Sequence, residues 1–224
     1  MDLEVTTDPE QMPPPAAVAR VYAAAAATAP LSSDPSMARA FAALYSWARA
    51  LPGAASVTAR DGAELVGFGY GYSWDWDSMT DPWSHELRER LGAAAATIEE
   101  SFSVVLLAVV PQAQRKGLGR KLLNALVDQA DEDVAWLQAP VGDSPARRLY
   151  ESAGWTELGP GPDSADGVPS VVLVHRRRSD PAGFAPRRHA IGRARTCTRE
   201  AKNPPCPEQA RAARPAACPR GAKQ

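Results

Sequence analysis

The segment 109–126, VVPQAQRKGLGRKLLNAL, joins two different patterns of apolar residues. It begins at the end of the run SFSVVLLAVV (101–110), which is apolar and β-branched and therefore predicts a strand buried on both faces. From Leu118 the apolar residues recur at steps of three and four, which predicts an amphipathic helix. The chain thus passes from a buried strand to a helix through a short basic turn that contains two glycines.

The turn at 114–120 has the composition of an anion-binding site. The first N–H groups of a helix have no intrahelical partner, and the helix dipole adds partial positive charge to them. Gly117 and Gly119 carry no side chain that would keep an anion away from these groups. Four cations surround them: Arg115, Lys116, Arg120 and Lys121. The turn therefore predicts a phosphate site, although neither GxxxxGK[ST] nor GxGxxG spacing is present.

The rest of the body predicts a mixed α/β (α+β) fold in which helices pack on a largely antiparallel sheet. Asp61-Gly62 lies between two apolar runs and predicts a tight hairpin. Glycines at alternate positions of its second strand indicate that something approaches that face closely. The other expected elements are helix 16–29, helix 35–51 capped by Asp34, a short helix ending near Gly92, strand 134–139, helix 145–153 capped by Ser144, and strand 169–177.

Composition divides the 224 residues into one domain and two flanking segments. Residues 1–15 are expected to be a flexible lead-in and 16–178 the folded domain. Residues 179–224 hold ten of the 25 cations, three of the 26 anions and seven prolines, so the net charge is +7 there and −8 in 1–178. Because this tail has few apolar residues, we expect it to be disordered.

Several classes of protein do not fit the sequence. No apolar run reaches the roughly 20 residues that a bilayer requires, and the acidic start is unlike a secretion signal. The three cysteines, Cys197, Cys206 and Cys218, give neither a disulfide framework nor a zinc spacing. We expect a cytoplasmic protein with no membrane partner and no metal site. The basic tail could bind nucleic acid, but no aromatic residues interleave with its cations, so we do not expect that partner.

The turn matches Q/R-x-x-G-x-G/A through Gln114-Arg115-Lys116-Gly117-Leu118-Gly119, after an apolar strand and Pro111. Further along, SPARRLYESAGW (144–155) matches the pattern L-Y-x-x-x-G-F/W. In these motifs and their order the chain resembles the GNAT superfamily of N-acetyltransferases over most of 16–178. The resemblance implies a mixed, mostly antiparallel central sheet with helices on both faces, and acetyl-CoA as cosubstrate.

The resemblance also implies where coenzyme A binds. The amides of the turn would hold the pyrophosphate, and the pantetheine arm would pair with the backbone of the preceding strand. The residues expected to contact it are Leu107, Ala108, Val109, Gln114, Arg115, Lys116, Gly117, Leu118, Gly119, Arg120, Ser144 and Arg147. The alternative is an ordinary strand–helix turn whose glycines ease packing, with Ser144 acting only as a helix cap.

The reaction implied by the family is direct attack of an amine on the thioester in a ternary complex. Tyr150 matches the tyrosine that protonates the leaving thiolate, unless it is only a packing residue. A backbone N–H near Val109 would polarise the carbonyl. The candidates for the general base are four acids: Asp75, Asp77, Glu99 and Glu100. We favour Glu100, which lies at the entry to the strand, although each could be an ordinary solvated acid.

The acceptor is expected to contact the aromatic and acidic segment 70–83, through Tyr70, Trp74, Asp75, Trp76 and Trp83. Aromatic faces and carboxylates suit a cation, so the sequence favours a small cationic amine. The tryptophans could instead fill the core. Alternatives for the whole protein are an acyl-CoA-binding sensor or scaffold without turnover, and a nucleic-acid-associated protein. We expect a monomer or a homodimer.

Overall fold

The computed structural model describes residues 2–27, 35–164 and 167–177, and a seven-stranded sheet is its centre. The strands are β1 (Asp2–Thr6), β2 (Ala55–Asp61), β3 (Glu64–Trp74), β4 (Ser101–Val109), β5 (Val134–Pro140), β6 (Thr156–Gly161) and β7 (Ser170–Arg176). The helices are α1 (Pro15–Ala26), α2 (Pro35–Ala48), α3 (Pro82–Leu91), α4 (Leu118–Val127) and α5 (Pro145–Ser152). A 3₁₀ segment, Gly92–Ile98, joins α3 to the turn before β4.

The strand order is β1-β2-β3-β4-β5-β7-β6, and each pair is antiparallel except β4 with β5. The mixed, mostly antiparallel sheet is therefore confirmed. The two strands that the sequence does not predict are at its two edges. The expectation of a flexible lead-in is wrong for β1, whose five residues pair with β2. In β6, TELGPG, glycine and proline hide the strand signal, which an edge position tolerates.

Some predictions fall outside the described residues, namely the cap Asp34 and the tail 179–224. Within the described part, none of the helices has the length and apolar character that crossing a membrane requires.

The alternating glycines of β3 allow other parts of the protein to come close. A Cβ atom at Gly67 would lie 2.8 Å from a methyl group of Leu122 in α4, and one at Gly71 would lie 2.3 Å from the Ser103 carbonyl oxygen. The expected close approach is thus confirmed, and protein atoms make it. It also places α4 on the glycine face of β3, whereas Phe68 and its alternate neighbours face the opposite side of the sheet.

The two central strands, β4 and β5, separate soon after they begin. Their pairing consists of Phe102 with Ala135 and Ser103 with Trp136. On the other side of β4, the register with β3 shifts near Val105, as expected for a β-bulge. Beyond these pairs β5 continues beside β7 along its whole length. The carboxyl-terminal half of β4 therefore has an open edge. We call the space between this edge and β5 the gap.

Candidate active site

The open edge of β4 presents backbone groups to the gap. The Val110 N–H donates to the Val66 carbonyl of β3 at 3.0 Å. Because polar groups alternate in direction along a strand, those of Leu107 and Val109 face away from β3, whereas those of Ala108 face it. The Gln114 side chain confirms the direction, since its Nε2 donates to the Val109 carbonyl at 2.8 Å. The polar groups of Leu107 and Val109 thus face the gap, where Gln114 covers the Val109 carbonyl, and those of Ala108 do not.

The turn after β4 collects backbone N–H groups without partners. Arg115 and Gly117 have left-handed backbones, with φ of 58° and 75°. Gly117 is the N-cap of α4 and supplies no capping side chain. No N–H from 115 to 120 donates a hydrogen bond within the described part of the chain. Arg115 and Lys116 are exposed and make no ion pair with any described residue. The turn therefore has the geometry and charge that an anion requires.

Gly119 and Arg120 have structural partners in α5. A Cβ at Gly119 would lie 3.3 Å from a methyl group of Leu149, so this glycine lets α4 and α5 approach each other. The Arg120 guanidinium donates to the Ser152 carbonyl at 3.0 Å and to the Ser152 hydroxyl. Both residues were expected at the anion site, and the contacts present instead join the two helices.

Ser144 and Arg147 likewise serve α5. The Ser144 hydroxyl accepts from the Arg147 N–H at 3.1 Å, which is ordinary N-capping. The Arg147 guanidinium pairs with Glu151 at 2.7 Å and with Glu157 of β6 at 2.9 Å. These hydrogen bonds raise the pKa of Arg147. The contacts of both side chains thus stabilise α5 and its link to β6, and a role of either residue in binding coenzyme A stays a prediction.

Tyr150 places a phenol at the inner side of α5, on the same face of the sheet as α4. Its ring is buried at 9% exposure, and its centroid is 6.1 Å from that of Trp155. Burial raises the pKa of Tyr150 to about 12, so the phenol stays protonated at neutral pH. Its hydroxyl has no hydrogen-bond partner among the described residues. The group is therefore a proton donor with no competing acceptor.

The acids expected to act as the base do not gather at the gap. Glu100 is exposed, has φ of 49°, and precedes β4. Val109 lies nine positions further along the chain, about 30 Å away in an extended strand. Glu99, beside Glu100, accepts from the Trp76 N–H at 3.4 Å. Asp75 accepts from the Ser78 hydroxyl at 2.6 Å, which is the main reason that its pKa is lowered. The assignment of Glu100 as the base is thus not supported by its position.

Most of the aromatic residues expected to contact the acceptor belong to the core. Tyr70, Trp74 and Trp76 are at most 5% exposed. The Trp76 indole donates to the Ala95 carbonyl at 3.2 Å. The Tyr70 hydroxyl and the Trp74 indole nitrogen are buried and have no partner within the described ranges. Trp83 is partly buried and stacks on Trp136 with ring centroids 6.5 Å apart. In the ligand-free chain the first three residues thus lie in the core, and their contact with the acceptor stays a prediction.

The open strand edge, the turn of unpaired amides and the buried tyrosine have a counterpart among known proteins. The sequence profile of the "Acetyltransferase (GNAT) family" matches residues 19–155. This chain belongs to the GNAT family of acetyltransferases. The profile spans α4, the turn and α5, and so covers the whole site described above.

Individual relatives of this GNAT chain are distant. The "[Ribosomal protein bS18]-alanine N-acetyltransferase" of Salmonella typhimurium is 35% identical over 74 residues, which are 31% of this chain and 50% of that protein. The chain thus spans about half the length of the curated relatives that it matches.

Two solved structures show the same fold. PH1933 from Pyrococcus horikoshii OT3 has a TM-score of 0.53 and 20% identity, covering 79% of this chain and 99% of the other. A ribosomal-protein-alanine N-acetyltransferase from Brucella melitensis has a TM-score of 0.50 and 16% identity, covering 79% and 100%. At these identities the likeness concerns the fold alone.

One residue of this GNAT domain near the gap was missed by sequence reasoning. Gln138 lies on β5, two residues beyond the last residue that pairs with β4. Its side-chain oxygen is buried and has no hydrogen-bond partner in the residues that the structure describes. The available signal was a glutamine inside the otherwise apolar strand VAWLQAP, since a buried polar side chain in such a run requires a partner.

Proposed function

We propose that this GNAT chain is an N-acetyltransferase that moves an acetyl group from acetyl-CoA to an amine in a ternary complex. The observation that carries the proposal is the continuity of two features. The open edge of β4 leads directly into a turn where the six N–H groups from 115 to 120 have no described partner. A long ligand with amides in its arm and a pyrophosphate at its end fits both.

The proposed binding mode uses backbone groups for position and cations for affinity. The amides of 115–120 donate to pyrophosphate oxygens, and Arg115 and Lys116 neutralise part of their charge. The amides of the pantetheine arm pair with Leu107 and Val109 as an added strand would. Gln114 then has to release the Val109 carbonyl, to which it donates in the ligand-free chain.

The proposed reaction requires one proton donor and one polarising group. The amine lone pair forms the new C–N bond, and the carbonyl electrons move to oxygen, where a free N–H of the β4 edge stabilises them. When the carbonyl re-forms, the C–S bond breaks and Tyr150 protonates the thiolate. The nitrogen of the former amine loses its extra proton to solvent. Solvent then returns a proton to the Tyr150 phenolate. We assign that proton to solvent because Glu100 is at the far end of β4.

For the acceptor we propose a small cationic amine. The net charge of −8 in 1–178 attracts cations to the folded body. The second candidate is the α-amine of a protein, because the Salmonella typhimurium relative acts on an alanine of ribosomal protein bS18 by its name. A cytoplasmic location and a monomeric or homodimeric state remain predictions from the sequence.

The test measures thiol release from acetyl-CoA with two acceptors, spermidine and a hexapeptide that begins with alanine. We expect release with spermidine. Release with the hexapeptide alone would overturn the small-amine proposal and favour the second candidate. Binding of acetyl-CoA without release to either acceptor would favour a sensor or scaffold of the same fold, and absence of binding would contradict every acyl-CoA function.

A further inference from the structure

Gln138 occupies the part of β5 where the gap begins. The last pair between the central strands is Ser103 with Trp136, and Gln138 follows two residues later on the same face of the strand. That face carries the stacked rings of Trp136 and Trp83 and is opposite to the face on which α4 and Tyr150 lie. A reactant that enters beside Gln138 therefore meets the thioester from the side opposite to Tyr150.

The orientation of the Gln138 amide is fixed by its nitrogen. Nε2 donates to the Pro162 carbonyl at 2.6 Å and to the Ser170 hydroxyl at 2.5 Å. A carbonyl oxygen can only accept, so the group that faces Pro162 is the NH₂ and not the oxygen. Both amide hydrogens are thereby used, and Oε1 is the part of the side chain left to bind something else.

Oε1 is buried and has no hydrogen-bond partner among the described residues. The other buried side-chain atoms that lack a partner in this part of the chain belong to Arg49, Ser56, Thr58, Tyr70, Trp74, Trp136 and His175, and each can act as a donor in at least one protonation or rotamer state. Oε1 differs because it can only accept. A buried acceptor without a donor costs free energy, so folded proteins normally supply one from the chain, water or a ligand.

We propose that Oε1 of Gln138 accepts a hydrogen bond from the attacking amine and so orients its lone pair toward the thioester. This inference rests on the proposed transferase function. An amine that attacks must be neutral and must turn its N–H bonds away from the carbonyl carbon. A neutral amide oxygen meets that need, and it binds the N–H more strongly as the nitrogen gains positive charge during C–N bond formation. Gln138 does not take the proton, so it is an orienting residue and not a base.

The test compares two variants, each of which removes one of the two hydrogen bonds to the Pro162 carbonyl. In Gln138→Met, the Pro162 carbonyl keeps its bond from the Ser170 hydroxyl, at 2.6 Å. In Ser170→Ala, it keeps its bond from Gln138 Nε2. Only the first variant removes Oε1. For each variant we would measure kcat and KM with spermidine and with the alanine hexapeptide, the acetyl-CoA Kd and the thermal midpoint.

The variants are compared with whichever of the two acceptors wild type acetylates faster. With that acceptor, we expect Gln138→Met to lower kcat/KM by about tenfold or more, the effect of losing one hydrogen bond to a group that gains charge. The acetyl-CoA Kd of Gln138→Met should stay within about threefold of the wild-type value. The kcat/KM of Ser170→Ala should also stay within about threefold of that of wild type. Equal losses in both variants would make Gln138 only an anchor, and unchanged kinetics would assign Oε1 to water. Absence of turnover in wild type with both probes would contradict the transferase itself, and the role of Gln138 with it.

Discussion

Tyr150 combines a buried ring with a hydroxyl that has no described partner. If it protonates the thiolate, Tyr150→Phe should lower kcat by about a hundredfold or more, the usual contribution of a general acid, and leave the acetyl-CoA Kd unchanged. Because burial raises its pKa to about 12, its ionisation should not lower kcat at any pH up to about 10. Thiol release over a pH series measures both.

The control for this change is Tyr45→Phe in α2, which removes a buried hydroxyl that donates to the Pro13 carbonyl at 3.0 Å. That variant should lose some stability and keep kcat. If Tyr150→Phe turns over as fast as wild type, solvent or another acid protonates the thiolate.

Gln114 covers the carbonyl that the pantetheine arm is proposed to use. Gln114→Ala frees Val109, so the variant should bind acetyl-CoA about two- to tenfold more tightly, the worth of one exposed neutral hydrogen bond. Calorimetric titration compares it with Gln112→Ala, which changes an exposed glutamine two residues away. Weaker binding of acetyl-CoA by Gln114→Ala would show that the side chain contacts the ligand instead.

The sequence predicts single residues well where the chemistry is local. The glycines and cations of the turn belong to one short segment, so their joint meaning can be read there. The contact of the Arg120 side chain could not be predicted, because its partner, Ser152, is 32 residues away and shares no pattern with it. Gln138 was missed because its importance depends on where β4 and β5 separate, which no single segment encodes.

At the scale of elements, β3 tests how closely the sheet is packed. A Cβ at Gly71 would lie 2.3 Å from a backbone oxygen, whereas one at Gly69 would have its nearest contacts at 3.3 Å. Gly71→Ala should therefore lower the free energy of unfolding by about 1–3 kcal/mol, as overpacking does, and Gly69→Ala by clearly less. Urea denaturation measures both. Equal effects in the two variants would contradict the geometry given for this strand.

Elements with a strong period or a specific turn could be predicted from sequence, and those stabilised by a partner could not. α4 has its apolar stripe and the β2–β3 hairpin has its Asp-Gly turn, so both carry their own signal. β1 and β6 are short edge strands whose pairing is provided by β2 and β7. Their formation depends on the neighbouring strand more than on their own residues.

At the scale of the whole molecule, buried tyrosines make folding sensitive to alkali. Burial is the main cause that raises the pKa of Tyr45 and of Tyr150 to about 12, against about 10 in the unfolded chain. Between these values the unfolded state releases protons that the folded state keeps. The contribution of these tyrosines to the free energy of unfolding should therefore be fully present below pH 10 and be lost as pH rises toward 12. For each tyrosine the loss is about 1.4 kcal/mol per unit of difference between its folded and unfolded pKa.

Urea midpoints measured from pH 8 to pH 11.5 test this expectation. Burial also raises the pKa of Tyr70 and Tyr72. The Tyr45→Phe variant removes one of these four ionisations, so its midpoint should fall less steeply above pH 10 than that of wild type. Identical slopes would show that Tyr45 titrates alike in both states.

The central claim is that the open edge of β4 and the turn at 114–120 together bind acetyl-CoA. Its most direct test is calorimetric titration of acetyl-CoA into wild type, into Arg115→Glu/Lys116→Glu, and into the control Arg39→Glu, which reverses an exposed charge on α2. We expect binding to wild type and to the control, and a loss of about tenfold or more in the double variant, because two cations beside the pyrophosphate become anions. Equal affinity in all three proteins would contradict it.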